Sequence, residues 1–377
     1  MHLYFIGEGK IAGGAEGSSL SSCTFPGICI LPDGHMIASF KGSPLKGPLA
    51  GQRGYLCYSD DGGETWSAPV APFPDGIIHN GRKASFRGIY ATHIEGGHVL
   101  AVMPAVYEDE SGAPYFNPET EGLLDSDIFF AHSNDNGHSF GTPVRMDTSP
   151  FNQPVPLTGP VIKTLDGNLV CQFELNKTYN DPNPWVHSSV VTFSRDGGRS
   201  WGGATAITRH PSIYYWDQRI GVTGGDRLLN LFWTFDRQKA EYLSIHACDS
   251  VDGGATWSPL WDTGLPGQPG APADICRGRV AVIAIDRTGS PRIDVRISED
   301  GSHTFLPETL TIYDSGLQKQ EYQKTGMDDA WVEMGAFSVG HPNLVMLPSG
   351  VLYAFYYAGP HTDRTDIRWA KIAIKNE

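Results

Sequence analysis

The sequence predicts an all-β fold, a six-bladed β-propeller built from four-stranded antiparallel blades, and three observations carry that expectation. One polar motif recurs five times, apolar hairpins recur in step with it, and 377 residues include 45 Gly and 27 Pro. So many turn formers favour short strands over long helices.

The motif is read in YSDDGGETWSAP (58–69), HSNDNGHSFGTP, FSRDGGRSWGGA, DSVDGGATWSPL and ISEDGSHTFLPE. Its shared pattern, Ser-x-Asp-x-Gly-x-Ser/Thr-Trp/Phe, begins at Ser59, Ser133, Ser194, Ser250 and Ser298, so successive starts lie 74, 61, 56 and 48 residues apart. Unequal spacing with an intact motif marks repeated supersecondary units joined by loops of different length. The Asp can accept hydrogen bonds from turn amides, the Gly can take φ > 0 and the aromatic ring can pack between sheets, which describes a folding staple.

Hairpins supply the first two strands of each unit: ICILPDGHMIASF (28–40), HIEGGHVLAVM (93–103), VIKTLDGNLVCQF (161–173), GVTGGDRLLNLFW (221–233) and NLVMLPSGVLYAFYY (343–357). Asp-Gly, Gly-Gly and Ser-Gly between β-rich runs are hairpin turns. A third strand runs into the motif Ser and a fourth leaves its aromatic residue, completing a blade. Blades are expected to start near residues 25, 86, 160, 217, 274 and 342. The last lacks the motif, so DIRWAKIAI (366–374) and LYFI (3–6) are assigned as its outer strands, making residues 1–377 a single domain. Closure by both termini removes exposed strand edges.

Composition narrows the function. The formal net charge of −14 disfavours nucleic acid and anionic membranes as partners, so an anionic ligand needs a few focused arginines in a locally positive pocket. The six cysteines are scattered without CxxC pairs and read as reduced core thiols. No Cys/His spacing suggests a metal, and no cofactor is expected. The start MHLYFIGEGKIAGGAEG lacks signal-peptide character and no run of about 20 apolar residues exists, so a cytoplasmic chain is expected, with a trimmed secreted protein as the alternative.

The repeated motif resembles the Asp-box, or BNR, repeats of the sialidase superfamily, and the resemblance spans nearly the whole chain. It implies a six-bladed propeller and a carbohydrate-active enzyme or glycan-binding module. Retaining sialidases open their first inner strand with Arg-Ile-Pro, whose Arg helps grip a substrate carboxylate; here Thr24-Phe25-Pro26 stands there. They start the last inner strand with a nucleophilic Tyr, where this chain has His341. The Glu that assists that Tyr falls near Trp216-Asp217, and an Arg after that strand pair is met by Phe232 or Trp233.

Strand direction puts the motif turns and hairpin turns on one face, leaving the opposite face for ligand. Segments there include 41–54, 104–127, 174–188, 208–219, 264–277 and 313–343. Arg87 opens the second blade, Asp217-Gln218-Arg219 the fourth, and Asp274 with Arg277 the fifth. Alternation puts Asp217 and Arg219 on one side of their strand, and Arg87, Arg219 and Arg277 together form a candidate clamp for a carboxylate or sugar hydroxyls. Glycoside hydrolysis needs two carboxyl groups; Asp217 is the first choice, paired with Glu174 or Glu333, with Asp125, Asp127 and Asp274 as further options. His341 is a candidate donor or base, while His93 and His187 read as structural. Trp216, Tyr215 and Tyr356 are candidate sugar contacts among a mouth rich in aromatics that also holds Tyr107, Tyr115, Phe116, Trp185, Trp331 and Tyr357.

The long segments 104–127 and 313–340 suit lids or, equally, a homo-oligomeric contact. The expected function is an exo-acting glycoside hydrolase on an acidic or deoxy sugar. A lyase on uronic-acid glycans and a non-catalytic glycan-binding propeller are its rivals.

Overall fold

The computed structural model describes residues 1–109, 112–152, 154–276, 278–317, 324 and 326–375. The chain is all-β, with one helix, α1 (Met327–Ala336), among the described residues. No helix among them is long and apolar enough to cross a membrane.

The strands form six antiparallel groups, each led by an innermost strand. The first comprises Ser22–Ile30, Met36–Ser43 and Arg53–Ser59, with a bridge from Leu56 to Val70 beginning a fourth edge. The second contains Tyr90–Glu95, His98–Tyr107, Ser126–Ser133 and Val144–Arg145. Ile162–Lys163, Leu169–Leu175, His187–Ser194 and Gly202–His210 make the third, and Ile213–Thr223, Arg227–Asp236, His246–Ser250 and Trp261–Asp262 the fourth. The fifth begins with Gln268–Pro269 and Ala273–Cys276, then Arg279–Asp286, Arg292–Ser298 and Leu310–Asp314. Its innermost strand therefore starts at 268, six residues before the expected start near 274, because its hairpin turn falls at Gly278.

Val339–Met346, Leu352–His361 and Arg364–Lys375 form the sixth group, and the amino-terminal strand His2–Ala12 pairs antiparallel with Arg364–Lys375 as its outer edge. A single parallel pairing, Ser22 with Thr365, joins the sixth group to the first. Second strands such as Met36–Ser43 and Leu169–Leu175 are buried along their whole length, which explains their nearly continuous apolar runs.

All five motif turns share one hydrogen-bonded cage. The leading Ser hydroxyl donates to the Asp Oδ1 at 2.7–2.8 Å and accepts the amide four residues after it at 2.7–3.0 Å. The later Ser or Thr donates its hydroxyl to the Asp Oδ2 at 2.5–2.6 Å and its amide to Oδ1 at 2.8–2.9 Å. At Gly63 φ is +83° and a Cβ would meet the Tyr353 ring at 2.7 Å, so both conformation and space call for Gly there. The fifth copy carries Ser302 at that place and still takes φ +78°.

Each cage docks on the preceding group. The Tyr58 hydroxyl donates to the Gly137 carbonyl at 2.7 Å, Trp201 packs with Ile94 and Leu100, Gly254 abuts Phe193, and the Trp261 indole donates to the Ser302 carbonyl at 3.2 Å. The first cage docks on the sixth group through the Tyr353 hydroxyl, 2.9 Å from the Gly63 carbonyl. A shared apolar cluster containing Ile283, Val295, Ala354 and Ile372 joins the fifth and sixth groups.

Five cysteines are buried, and burial pushes the Cys23, Cys29 and Cys57 thiols up to about 12; Cys276, expected in the core, is exposed at the fifth hairpin turn.

The cage hydrogen bonds hold the Asp61, Asp135, Asp196 and Asp300 carboxyls down at about 2. These folded values lie below the unfolded value of about 3.9, so the stability they contribute is complete above pH ~4 and is lost as pH falls towards ~2. Asp196→Ala is expected to destabilise the protein by about 2 kcal/mol in urea melts at pH 6. The difference from wild type should shrink at pH 3; a difference that stays constant contradicts the cage account.

Candidate functional site

At the ends of the strands remote from the Asp cages, a cavity of about 370 Å³ opens among the starts of the innermost strands. Its existence follows from a repeated break in those strands. The pairing shifts register between Thr24 and Gly27, between Trp216 and Arg219, and between Gly340 and Asn343. Within these bulges Phe25, Asp217 and His341 have φ of 55°, 48° and 45°, the left-handed region that ordinary residues avoid. A bulge re-aims a side chain, and all three line the cavity.

The second and fifth groups are interrupted at comparable places. Arg87, Gly88 and Ile89 separate Arg82–Phe86 from Tyr90–Glu95, and residues 270–272 separate Gln268–Pro269 from Ala273–Cys276. Arg87 and Gln268 also line the cavity.

Asp217 is the centre of a hydrogen-bonded chain. Gln268 Nε2 donates to its Oδ2 at 2.6 Å, and the Gln268 carbonyl oxygen accepts from Arg287 Nη1 at 3.1 Å. Arg219 Nη2 lies 3.6 Å from Asp217 Oδ1 and donates to His341 Nδ1 at 2.7 Å. The Asp217 amide donates to Glu174 Oε1 at 2.5 Å, so the Glu174 carboxylate sits on the Asp217 backbone. His187 Nε2 lies 3.3 Å from Glu174 Oε2 but out of line for a hydrogen bond.

These contacts set protonation. Burial raises the Asp217 carboxyl above its ordinary value, Arg219 opposes the shift and Glu174 adds to it. Burial, followed by Arg219 and Arg287, drives His341 well below the usual imidazole range. A neutral His341 whose Nδ1 accepts from Arg219 carries its proton on Nε2, so it can donate to a ligand.

Three further cations line the cavity. Lys41 is 1% exposed, and its amine is pushed well below the usual range by burial, then by Arg87 and Lys46. Lys46 is lowered to about 7 by burial and by Arg287. Arg87 lies over the Tyr115 ring at 4.1 Å. Basic side chains thus gather in this cavity within a chain of formal charge −14.

Helix α1 forms a roof. Trp331 stacks on Phe116 with ring centroids 4.7 Å apart, so segments 104–127 and 313–340 meet over the cavity. The Lys46 ammonium donates to the Met334 and Phe337 carbonyls at 2.9 and 2.6 Å, tying the end of α1 to the first group.

Of the residues singled out from sequence, Asp217, Glu174, His341, Arg87 and Trp216 line the cavity, and Arg219 holds His341 from behind. Others lie elsewhere. Gln218 is fully buried and donates to the Phe173 and Val190 carbonyls, so it ties the fourth group to the third. Tyr215 packs against Phe232 and Cys248, and Tyr356 against the fifth group, while the adjacent Tyr357 faces the cavity. Asp274 accepts the Gly224 amide at 3.1 Å beside the hairpin turn, away from the mouth. Glu333 accepts from the Tyr242 hydroxyl at 2.8 Å and pairs with Lys324, outside the cavity lining. Arg277 lies outside the described residues.

Sequence reasoning missed Gln268, Arg287, Lys41 and Lys46. A signal for Gln268 was present: Phe25, Gln268 and His341 each precede a Pro, at Pro26, Pro269 and Pro342. Among the described residues no group of three or more His, Cys, Asp or Glu could hold a metal ion.

As pH rises, the unfolded chain gives up the Asp217 proton before the folded one, so this carboxyl lowers stability above pH ~4. Asp217→Asn keeps a residue tolerant of φ 48°, and is expected to stabilise the protein by about 1 kcal/mol at pH 7. Urea melts at pH 4 should show no gain, and an equal gain at both pH values contradicts the burial account.

Comparison with known proteins agrees with this architecture. The BNR/Asp-box repeat model matches residues 58–68. No curated protein matches the sequence. Among solved structures, a protein of unknown function from Dyadobacter fermentans is similar at TM-score 0.74 and 15% identity over 99% of both chains. The intramolecular trans-sialidase from Ruminococcus gnavus is similar at TM-score 0.65 and 13% identity, over 93% of this chain and 94% of that one. Trypanosoma rangeli sialidase follows at TM-score 0.61 and 12% identity, over 93% of this chain and 55% of that one. The chain carries an Asp-box repeat on a sialidase-like fold.

Proposed function

We propose that the six strand groups are the blades of one β-propeller domain, and that its cavity is the active site of a glycoside hydrolase acting on an acidic sugar. The observation that carries this reading is the pair Asp217 and Glu174, which line one cavity with the Glu174 carboxylate on the Asp217 amide and the Asp217 carboxyl raised by burial. Glycoside hydrolysis uses such a pair: one carboxyl protonates the leaving oxygen while the other attacks the anomeric carbon or activates water. Asp217 takes the acid role and Glu174 the second.

Lys41, Lys46 and Arg87 favour an acidic over a deoxy sugar, because a ligand carboxylate would pair with Arg87 and favour the protonated amines that burial disfavours. Aromatic walls including Trp185, Trp216 and Tyr357 suit the apolar faces of a sugar ring. His341 donates from Nε2 to a sugar hydroxyl. The similarity to sialidases supports a glycan as ligand, although His341 and Thr24 stand where the resemblance would place Tyr and Arg.

Elimination is a second reading, favoured by the cavity amines. A neutral Lys46 or Lys41 can remove the proton beside a uronic carboxylate while the neighbouring glycosidic oxygen leaves, forming a carbon–carbon double bond.

With a panel of aryl and oligosaccharide glycosides of acidic sugars, Asp217→Asn and Glu174→Gln are each expected to lower kcat by at least about 100-fold. Full turnover by Asp217→Asn would end the assignment. A product with the ultraviolet absorbance of a conjugated double bond would favour elimination, and saturated products would exclude it.

A further inference from the structure

We propose that a second cavity beside the mouth is an outer subsite for a neutral sugar unit attached to the acidic one. This inference rests on the glycan reading of the first cavity. The second has a volume of about 330 Å³, and Ser126 lines both, so one chain of sugars can occupy the two.

The pocket is built by an addition that a four-stranded group does not need. Gly76–His79 and Arg82–Phe86 form an extra hairpin on the second group. Its tip turns through Asn80 at φ 51° and Gly81 at φ 77°, the left-handed pair of a tight hairpin turn. His79, Asn80 and Arg82 from this hairpin form one wall, and Phe151, Asn152 and Pro154 contribute to another.

The lining has a different chemistry from that of the first cavity. Its charges are matched: Arg82 pairs with Asp125 at 2.8 Å and Arg145 with Asp127 at 2.8 Å. The Tyr107 hydroxyl also donates to Asp127, at 2.7 Å. These contacts fix the side chains but leave most of the guanidinium donors and carboxylate lone pairs of the Arg82–Asp125 pair available, since both residues are about half exposed at 51%. The Arg82 guanidinium lies over the Tyr107 ring at 4.7 Å and occupies its apolar face. A ligand therefore meets alternating donors and acceptors without net charge, which matches the hydroxyls of a neutral sugar better than a carboxylate or an apolar aglycone.

The test compares two substrates with the same acidic sugar: a 4-methylumbelliferyl glycoside, which has no outer sugar, and an oligosaccharide in which that sugar caps a neutral hexose. Arg145→Gln and Asn80→Gly, the latter preserving the positive-φ turn, are each expected to raise KM for the oligosaccharide about tenfold. KM for the aryl glycoside should not move, and unchanged thermal melts establish folding. Normal cleavage with the KM ratio unchanged in both variants would overturn the outer subsite alone. A wild-type protein that cleaves no acidic glycoside overturns the hydrolase reading and this subsite with it.

Discussion

The structure depends on the cage around five aspartates. Each carboxylate closes a turn by accepting from two hydroxyls and from backbone amides, in geometries that agree within 0.3 Å across the copies. A turn satisfied internally in this way can present its remaining carbonyls and its aromatic residue to a neighbour. Gly63, Gly137 and Ser302 do so, each accepting from a side chain of the preceding group. One local motif thereby sets both the shape of a strand group and its docking on the next. Because that work is done at one end of the strands, the other end is left free for a cavity.

At the free end the structure carries strain and buried charge. Non-Gly residues in the left-handed region cost on the order of 1–3 kcal/mol each, and Phe25, Asp217 and His341 all adopt it. The largely buried second strands pair beside these breaks. Charge is handled differently. Lys41 and His341 lose water without gaining a carboxylate, and their protonated forms are disfavoured accordingly. Asp217 shifts the opposite way because burial outweighs Arg219. The cavity therefore brings together a carboxyl raised by burial and imidazole and amine groups lowered by it, shifts that favour proton transfer among them.

The roof adds a third feature. Trp331 on α1 stacks with Phe116, and Lys46 ties the end of that helix to the first strand group. Long connections that looked dispensable to the strand pattern thus meet at the cavity. The hairpin at Gly76–His79 and Arg82–Phe86 is a comparable insertion, and it shapes the second cavity beside the mouth.

The sequence by itself determined the all-β class, the Asp-cage turns, the pairing of the amino-terminal strand with the last strand, and the placement of Asp217, Glu174, Arg87 and His341 around one cavity. These are properties of local patterns: period-two burial, turn chemistry and residue order along a strand. Only the tertiary structure separated Tyr357, which lines the cavity, from Tyr356, which packs on the fifth group, and Arg219, which holds His341, from Gln218, which ties the fourth group to the third. It also removed Glu333 and Asp274 from the site and brought in Gln268, Arg287, Lys41 and Lys46. Those side chains reach the centre from different strand groups. Their convergence depends on where each innermost strand breaks relative to the others, a register between groups that no single stretch of sequence encodes.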